Sequence, residues 1–286
     1  MSMTARPVPF AITVVTPPGY VHSQAFYEVA ETLHQGLHSL GHDPILTCDV
    51  RVPGRRHIIL GANLLPVVNT QPAPDAILYN LEQIYPGSPW LSPDYLALLR
   101  TYPVWDYSRL NVAALQALGA RAVQLLPIGY APTLSRIAPA EEDIDVLFFG
   151  SLNPRRMQVL EALDQRGLQV HVLVGVYGEE RDRCIARAKM VLNVHYYEAR
   201  RFEIVRASYL LANRRCVVSE TGADPTEEAE LAEGVAFAPY EGLVERCWAL
   251  REEPAQRRRI AQAGLALMRG RPIAPYLRDA LRALPS

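Results

Sequence analysis

The sequence predicts an α/β protein of two domains, each built on a parallel sheet. Three observations carry this. The chain has 286 residues, and domains usually run to roughly 100–200 residues. Strand-like and helix-like segments alternate along both halves, which implies right-handed βαβ units. Residues 127–142, rich in proline and turn formers, separate the two alternating sets.

In the first half, 10–16 is an apolar, β-branched run stopped by Pro17-Pro18-Gly19. Phe26, Val29, Leu33, Leu37 and Leu40 recur at helical spacing, predicting a helix over 23–40 closed by Gly41. Three short runs, 44–48, 57–60 and 75–79, read as strands bounded by turn residues. Ser92-Pro93 has the form of a helix start. A strand follows over 103–107, then a helix opened by Ser108 and closed by Gly119, then a last strand over 122–126.

The second half repeats the alternation. Strands are predicted over 145–149, 170–174, 191–195, 216–219 and 235–238. Helices are predicted over 154–166, 179–189 and 202–212, with further ones near 243–251, 255–267 and 275–284. The segment after Glu220 reads as a polar turn.

Composition narrows the function classes. Apolar residues make up 49% and charged residues 21% of the chain, as in an ordinary globular protein. The formal net charge of −1 lacks the basic excess of a general nucleic-acid binder. Cys48, Cys184, Cys216 and Cys247 are widely spaced, so neither a zinc site nor a disulfide framework is expected. Cys48 and Cys216 read as small core residues. This usage suits a reducing cytoplasm. No signal-peptide pattern and no membrane-spanning apolar run is apparent.

Ligands of parallel sheets bind beyond the carboxyl ends of the strands, so the residues there are the functional candidates. Gly150-Ser151-Leu152-Asn153-Pro154-Arg155-Arg156 follows a strand and opens a helix. Glycine permits close backbone approach, the helix start offers N–H groups and partial positive charge, and arginine binds phosphate oxygens bidentately. The alternative is a plain connector with solvated arginines. Adjacent helical positions are about 100° apart, so only one arginine faces a ligand; Arg155 is the expected one, and Arg156 the nearly silent one.

Asn193-Val-His195-Tyr196 ends a second strand and leads to Phe202-Glu203-Ile-Val-Arg206. Glu203 could accept the vicinal hydroxyls of a ribose, and Arg206 could meet a phosphate. They could equally form a capping carboxylate and an intrahelical ion pair. Glu220, in Ser219-Glu-Thr-Gly222, could reach a bound sugar or be loop solvation. In the first half, His22 could act as a base toward an acceptor hydroxyl or be a capping residue. Asn80-Leu-Glu82 and Trp105-Asp-Tyr-Ser108 are candidate acceptor contacts.

Residues 145–220 resemble the C-terminal domain of GT-B glycosyltransferases of the glycosyl transferases group 1 superfamily, nearest the spore-maturation-type branch. The resemblance rests on Asp145-Val-Leu-Phe-Phe-Gly-Ser151, Val191-Leu-Asn-Val-His195, Phe202-Glu-Ile-Val-Arg206 and Ala212-Asn-Arg-Arg-Cys-Val-Val-Ser-Glu220. It implies two Rossmann-like domains with parallel sheets facing a cleft. Residues 1–134 would form an acceptor-side domain and 135–272 a nucleotide-sugar-binding domain, with a helix over 273–286 crossing back to the first.

The implied function is metal-independent transfer of a sugar from a nucleotide-diphosphate donor, such as a UDP-sugar, to a glycan, protein or small-molecule acceptor. The donor is a co-substrate, and no cofactor is implied. Gly150, Ser151, Asn153, Arg155, Arg156, His195, Tyr196, Glu203, Arg206 and Glu220 would line the donor site. His22 and Glu203 would be the catalytic candidates. Two departures stand out. Many group 1 enzymes carry two glutamates separated by seven residues; here Glu198 is followed at that distance by Arg206. Their Gly-Thr-Pro turn reads Asn213-Arg214-Arg215. These departures leave open a second implied function, a GT-B-like protein that holds nucleotide or sugar without turnover.

Overall fold

The computed structural model describes residues 8–284. They fall into two compact units, one running through Thr133 and resuming at Pro272, the other spanning Leu134–Arg271.

The first unit contains β1 (Pro9–Val14), α1 (Tyr27–Ser39), β2 (Asp43–Thr47), β3 (Arg56–Leu60), β4 (Ile77–Asn80), α2 (Pro93–Thr101), β5 (Val104–Asp106), α3 (Arg109–Ala117) and β6 (Val123–Leu125). The second contains β7 (Ile144–Phe149), α4 (Pro154–Gln165), β8 (Val170–Leu173), α5 (Gly178–Arg187), β9 (Ala188–Asn193), α6 (Ile204–Ala212), β10 (Val217–Glu220), α7 (Pro225–Leu231), β11 (Val235–Ala238), α8 (Leu243–Arg251) and α9 (Pro254–Arg269). The last helix, α10 (Ile273–Arg282), belongs to the first unit.

The strand order is β2-β1-β3-β4-β5-β6 in the first sheet and β11-β10-β9-β7-β8 in the second, and the pairings within them are parallel. Both orders reverse next to the first strand of the unit. A parallel sheet opens a crevice where its strand order reverses. In the first sheet that point lies between β1 and β3, in the second between β7 and β9.

Local chemistry explains most of the boundaries. Ser92, Ser108 and Asn153 cap α2, α3 and α4 by accepting from Tyr95 N, Asn111 N and Arg156 N at 3.2, 3.4 and 2.8 Å. Gly119 closes α3 at φ +91°, a conformation that favours glycine. In the cores, β7, β9 and β10 bury Phe148, Met190, Leu192 and Val218 against Val159 and Leu163 of α4 and Leu250 of α8. β3, β4 and β5 bury Ile59, Leu78 and Val104 against Tyr95 and Leu99 of α2 and Leu115 of α3.

Four details differ from the sequence reading. A 3-10 turn, Val21–Phe26, precedes α1, held by Ser23 Oγ donating to Val15 O at 2.7 Å. Lys189 lies in β9 rather than in the preceding helix, because its Nζ meets Asp145 Oδ1 of adjacent β7 at 2.6 Å. The polar turn after Glu220 contains α7, capped by Asp224, whose Oδ1 accepts from Thr226 N at 3.0 Å and Glu227 N at 3.2 Å. Cys48 is exposed, since it follows the edge strand β2, whereas Cys216 is buried.

The return of α10 rests on two glycines. A Cβ at Gly36 of α1 would stand 2.6 Å from Leu277 Cδ1, and one at Gly129 would stand 2.7 Å from Ile273 Cα. Ile273 N donates to Tyr130 O at 3.1 Å. Among the described residues no helix is long and apolar enough to cross a membrane.

Candidate functional site

The carboxyl ends of β7 and β9 flank the reversal in the second sheet, and the two strongest sequence motifs stand there. β7 ends at Phe149, and Gly150 after it adopts φ +137°. A Cβ at this position would come within 3.0 Å of Arg206 Nη1 and 3.6 Å of Arg156 Nη1. Glycine thus lets two guanidiniums close on the backbone of the turn. Asn153 caps α4 and also donates from Nδ2 to Tyr196 O at 3.2 Å, which ties this turn to the loop after β9. Ser151 and Leu152 are exposed at its tip.

The two arginines of α4 separate as their spacing requires, one buried and one half-exposed. Arg156 is buried. Its Nε donates to Val194 O and its Nη1 to Ser151 O, both at 2.8 Å, and it lies over the rings of Phe148 and Tyr196 at 5.3 and 5.1 Å. Arg155 is half-exposed and clamps Glu220 through both Nη atoms, the Nη1–Oε2 bond measuring 2.6 Å. Its guanidinium also stacks on Tyr240 at 3.9 Å. Arg155 is therefore already neutralised, while Arg156 and Arg206 carry the positive charge at Gly150.

Arg206 comes from α6. It donates to Phe149 O and to Asn193 Oδ1, each at 2.5 Å. Burial lowers its affinity for the proton. Burial first, and the charge of Arg206 second, push Arg156 down to about 10. A guanidinium is the most basic of side chains, and Glu203 counters the effect of burial on both.

Glu203 stands at the N-cap position of α6, but its side chain makes no capping hydrogen bond and is directed instead to the loop after β9. Its Oε2 accepts from Asn193 Nδ2 at 2.8 Å and from His195 Nδ1 at 3.0 Å, and Arg156 Nη2 stands 3.7 Å from Oε1. Burial opposes its ionisation, but His195, Arg206 and Asn193 outweigh burial and hold the carboxyl below its ordinary value. His195 is buried, and its Nε2 has no hydrogen-bond partner among the described residues. Glu220 is also buried and accepts His195 N at 3.0 Å. Tyr196 is exposed and packs edge-on to Tyr197 at 4.9 Å. The candidate donor-site residues come together at this edge of the second sheet, whereas His22 and the candidate acceptor contacts at the ends of β4 and β5 lie in the first unit.

His22 lies in the first unit, on the 3-10 turn after β1, half-buried and edge-on to Tyr20 at 5.3 Å. That unit also holds a buried polar network at the ends of β4 and β5. Asn80 Nδ2 donates to Asp106 Oδ2 at 2.6 Å, and Tyr95 OH donates to Asn80 Oδ1 at 2.8 Å. The carbonyl of Glu82 accepts from Asn80 Nδ2 and Asn111 Nδ2, each at 2.9 Å. Burial pushes the Glu82 carboxyl up to about 7, and its charge reaches the phenols of Tyr20 and Tyr95. Tyr95 and Asn111 were not legible as site residues, since in sequence they sit inside ordinary helices.

No protein-family model matches the chain. Two curated relatives, both described as uncharacterized proteins of Acanthamoeba polyphaga mimivirus, match in part. L138 is 34% identical over 106 residues, 36% of this chain and 12% of its own length. L140 is 27% identical over 181 residues, 59% of this chain and 57% of its own length. The match therefore spans less than two thirds of either relative.

Solved structures align over nearly the whole chain. HepE of Anabaena, in complex with UDP and glucose, superposes with a TM-score of 0.61 at 14% identity, over 98% of this chain and 100% of that one. The chain has the GT-B fold. AviGT4, a glycosyltransferase involved in avilamycin A biosynthesis, aligns over 97% of this chain and 98% of its own with a TM-score of 0.55 at 18% identity. WaaG, a glycosyltransferase involved in lipopolysaccharide biosynthesis, aligns over 98% and 100% with a TM-score of 0.59 at 13% identity. At such identities it is the GT-B architecture that is shared, and function has to be argued from the site.

Proposed function

We propose that this chain is a glycosyltransferase that takes a sugar from a nucleotide-diphosphate donor, a UDP-sugar being the first candidate. One observation carries the reading. At the reversal of the second sheet, two guanidiniums, buried Arg156 and half-buried Arg206, close on Gly150, and both feel the charge of one carboxylate, Glu203. Cations held this way favour an incoming anion, which relieves their mutual repulsion and desolvation. The start of α4 adds its partial positive charge. A diphosphate is the matching ligand, because arginine forks fit its oxygens.

In the transition state the sugar–phosphate bond breaks and charge develops on the leaving diphosphate. Donors fixed before reaction stabilise that charge without reorganisation. The fixed donors here are Arg156 and Arg206, with the exposed backbone of 151–152 at the tip. This charge supply needs no metal. Glu203 and Tyr196 would contact the nucleoside or sugar, with His195 holding Glu203 in place. On the first unit, Glu82 and His22 are the acceptor-side candidates, each able to take a hydroxyl proton. That a bound UDP accompanies the similar fold of HepE supports the donor class.

A thermal-shift panel of nucleotide-diphosphate sugars, with and without chelator, tests the reading. A ligand at 100 times its Kd stabilises by about 2.7 kcal/mol. A UDP-sugar should raise the melting temperature equally in chelator, and UDP should be released on addition of acceptor. Stabilisation without any UDP release across acceptor panels would leave the nucleotide-binding alternative in its place. Stabilisation that vanishes in chelator and returns with magnesium would overturn metal independence.

A further inference from the structure

A second concentration of positive charge lies at the other end of the second sheet. A cavity of about 600 Å³ opens beside the start of β9 and the entry to β10, under the first turns of α9. Its walls carry Lys189, Arg214, Arg215, Arg257, Arg258 and Arg259 against one acidic residue, Glu142. The whole chain has a net charge of −1, so this is a local accumulation and not a general basicity.

Two of the six cations have carboxylate partners. Lys189 pairs with Asp145 at 2.6 Å, and Arg257 with Glu142 at 3.0 Å. Arg215 reaches only carbonyls, those of Ala186, Ile137 and Ala138, each at 3.3 Å. Arg214, Arg258 and Arg259 are exposed, and none meets a carboxylate within ion-pair distance among the described residues. Burial depresses the proton affinity of Arg215; Glu142 counters this, and the adjacent charge of Arg214 reinforces it.

One local rule is broken here. A helix start carries partial positive charge and favours acidic residues. α9 meets that preference with Glu253 at its N-cap, and Arg257, Arg258 and Arg259 follow in its second turn. At the end of α6, Arg214 adopts φ +54°. That left-handed conformation favours glycine or asparagine, and an arginine holding it is strained. The strained Arg214 places charge at the cavity at the expense of local stability, the pattern expected of a functional site.

We propose that this cavity binds a phosphate-bearing anion with at least two negative charges, at the amino-terminal edge of the sheet whose opposite edge carries the Gly150 turn. Three features fix the ligand class. The free cations are guanidiniums, whose planar forks suit phosphate oxygens better than ammonium groups do. Several lie on one wall, which suits a multivalent anion. The volume is that of a small-molecule site. The phosphate group can belong to a soluble compound or to a lipid headgroup.

Titration of the full chain with inorganic pyrophosphate, followed by hydrogen exchange, tests the site. Pyrophosphate should slow exchange in residues 213–216 and 254–259. The triple variant Arg214→Ala/Arg258→Ala/Arg259→Ala should lose that protection and bind there at least tenfold more weakly. Without anion its melting temperature should equal or exceed that of the parent, because repulsion is removed, which also shows that it folds. The single variant Arg258→Glu should weaken binding in the same direction. Sedimentation with phosphatidylcholine vesicles containing phosphatidylglycerol, lost in the triple variant, assigns the lipid source; pyrophosphate binding without sedimentation assigns the soluble one. Protection confined to residues 150–156, or unchanged protection at 254–259 in the triple variant, overturns the proposal.

Discussion

Arg156 Nη2 stands 3.7 Å from Glu203 Oε1, close enough to attract but too far to share a hydrogen bond, and that oxygen has no hydrogen-bond partner among the described residues. The pair is loose on the side that faces Gly150. Its guanidinium is otherwise anchored by carbonyls, so its charge is only partly matched within the fold.

Replacing Arg156 by alanine should therefore act twice. It removes a charge-assisted contact worth about 1.5–3 kcal/mol to a bound diphosphate, so UDP affinity should fall roughly ten- to a hundredfold. It also leaves Val194 O and Ser151 O unpaired, and the melting temperature should drop. Arg156→Lys keeps charge but not the fork, and should recover stability only in part. Calorimetric titration with UDP beside thermal unfolding separates the two effects. Wild-type UDP affinity in the alanine variant would remove the Gly150 turn from the donor site.

Glu203 gives an acid-side prediction. Its carboxyl is held below the ordinary value of 4.5 once His195, Arg206 and Asn193 outweigh burial. The stability this contributes is complete above the unfolded value and is lost as pH falls through the folded one. Glu203→Gln should lower stability at pH 7 by about 1–3 kcal/mol and make the acid transition shallower. Circular dichroism from pH 6 to pH 2 reads both, and an unchanged acid transition would show that Glu203 contributes nothing there.

Glu82 gives the opposite sign. Its carboxyl is raised from 4.5 to about 7 by burial, so the native state binds the proton more tightly than the unfolded one. Stability is then greatest below 4.5 and falls as pH rises through about 7. The loss amounts to at most about 3 kcal/mol at 1.36 kcal/mol per unit. Glu82→Gln should abolish that decline and be the more stable protein at pH 8. Urea unfolding at pH 5 and pH 8 measures it; an equal decline in both proteins would locate the titration elsewhere.

The Arg155–Glu220 clamp predicts a strong coupling. Glu220 is 1% exposed and Arg155 36% exposed at their side chains. Removing the arginine strands a buried carboxylate, a loss of about 3–5 kcal/mol for a fully buried pair, and solvent access to Arg155 reduces this to roughly half. Glu220→Gln in the Arg155→Ala background should restore part of it. A double-mutant cycle by urea unfolding should give a coupling above about 1 kcal/mol, and additive losses would mean the clamp is energetically idle.

The alternation of elements and the capping residues made both sheets legible, because Ser92, Ser108, Asn153 and Gly119 state their turns locally. α7 was hidden because Asp224-Pro225 was read only as a turn, although the same pair caps and starts a helix. The donor-edge residues were legible as a group, since strand ends in parallel sheets are known places to look. Which arginine would be buried was not. That depends on where Val194 O and Ser151 O lie relative to α4, a tertiary fact with no trace in Arg155-Arg156. Glu82 was visible as a strand-end carboxylate, but its burial is a tertiary outcome, as is its reach to the phenols of Tyr20 and Tyr95.

The docking of α10 against Gly36 and Gly129 has a consequence for the order of synthesis. Residues 134–271 form a closed unit that leaves the ribosome whole, whereas the first unit must wait for Ile273 and Leu277 before α1 has its complete packing partner. The first unit is begun first and finished last. Until then one face of α1 stands open, so a released chain ending at Arg271 would hold a complete second unit and an incomplete first one.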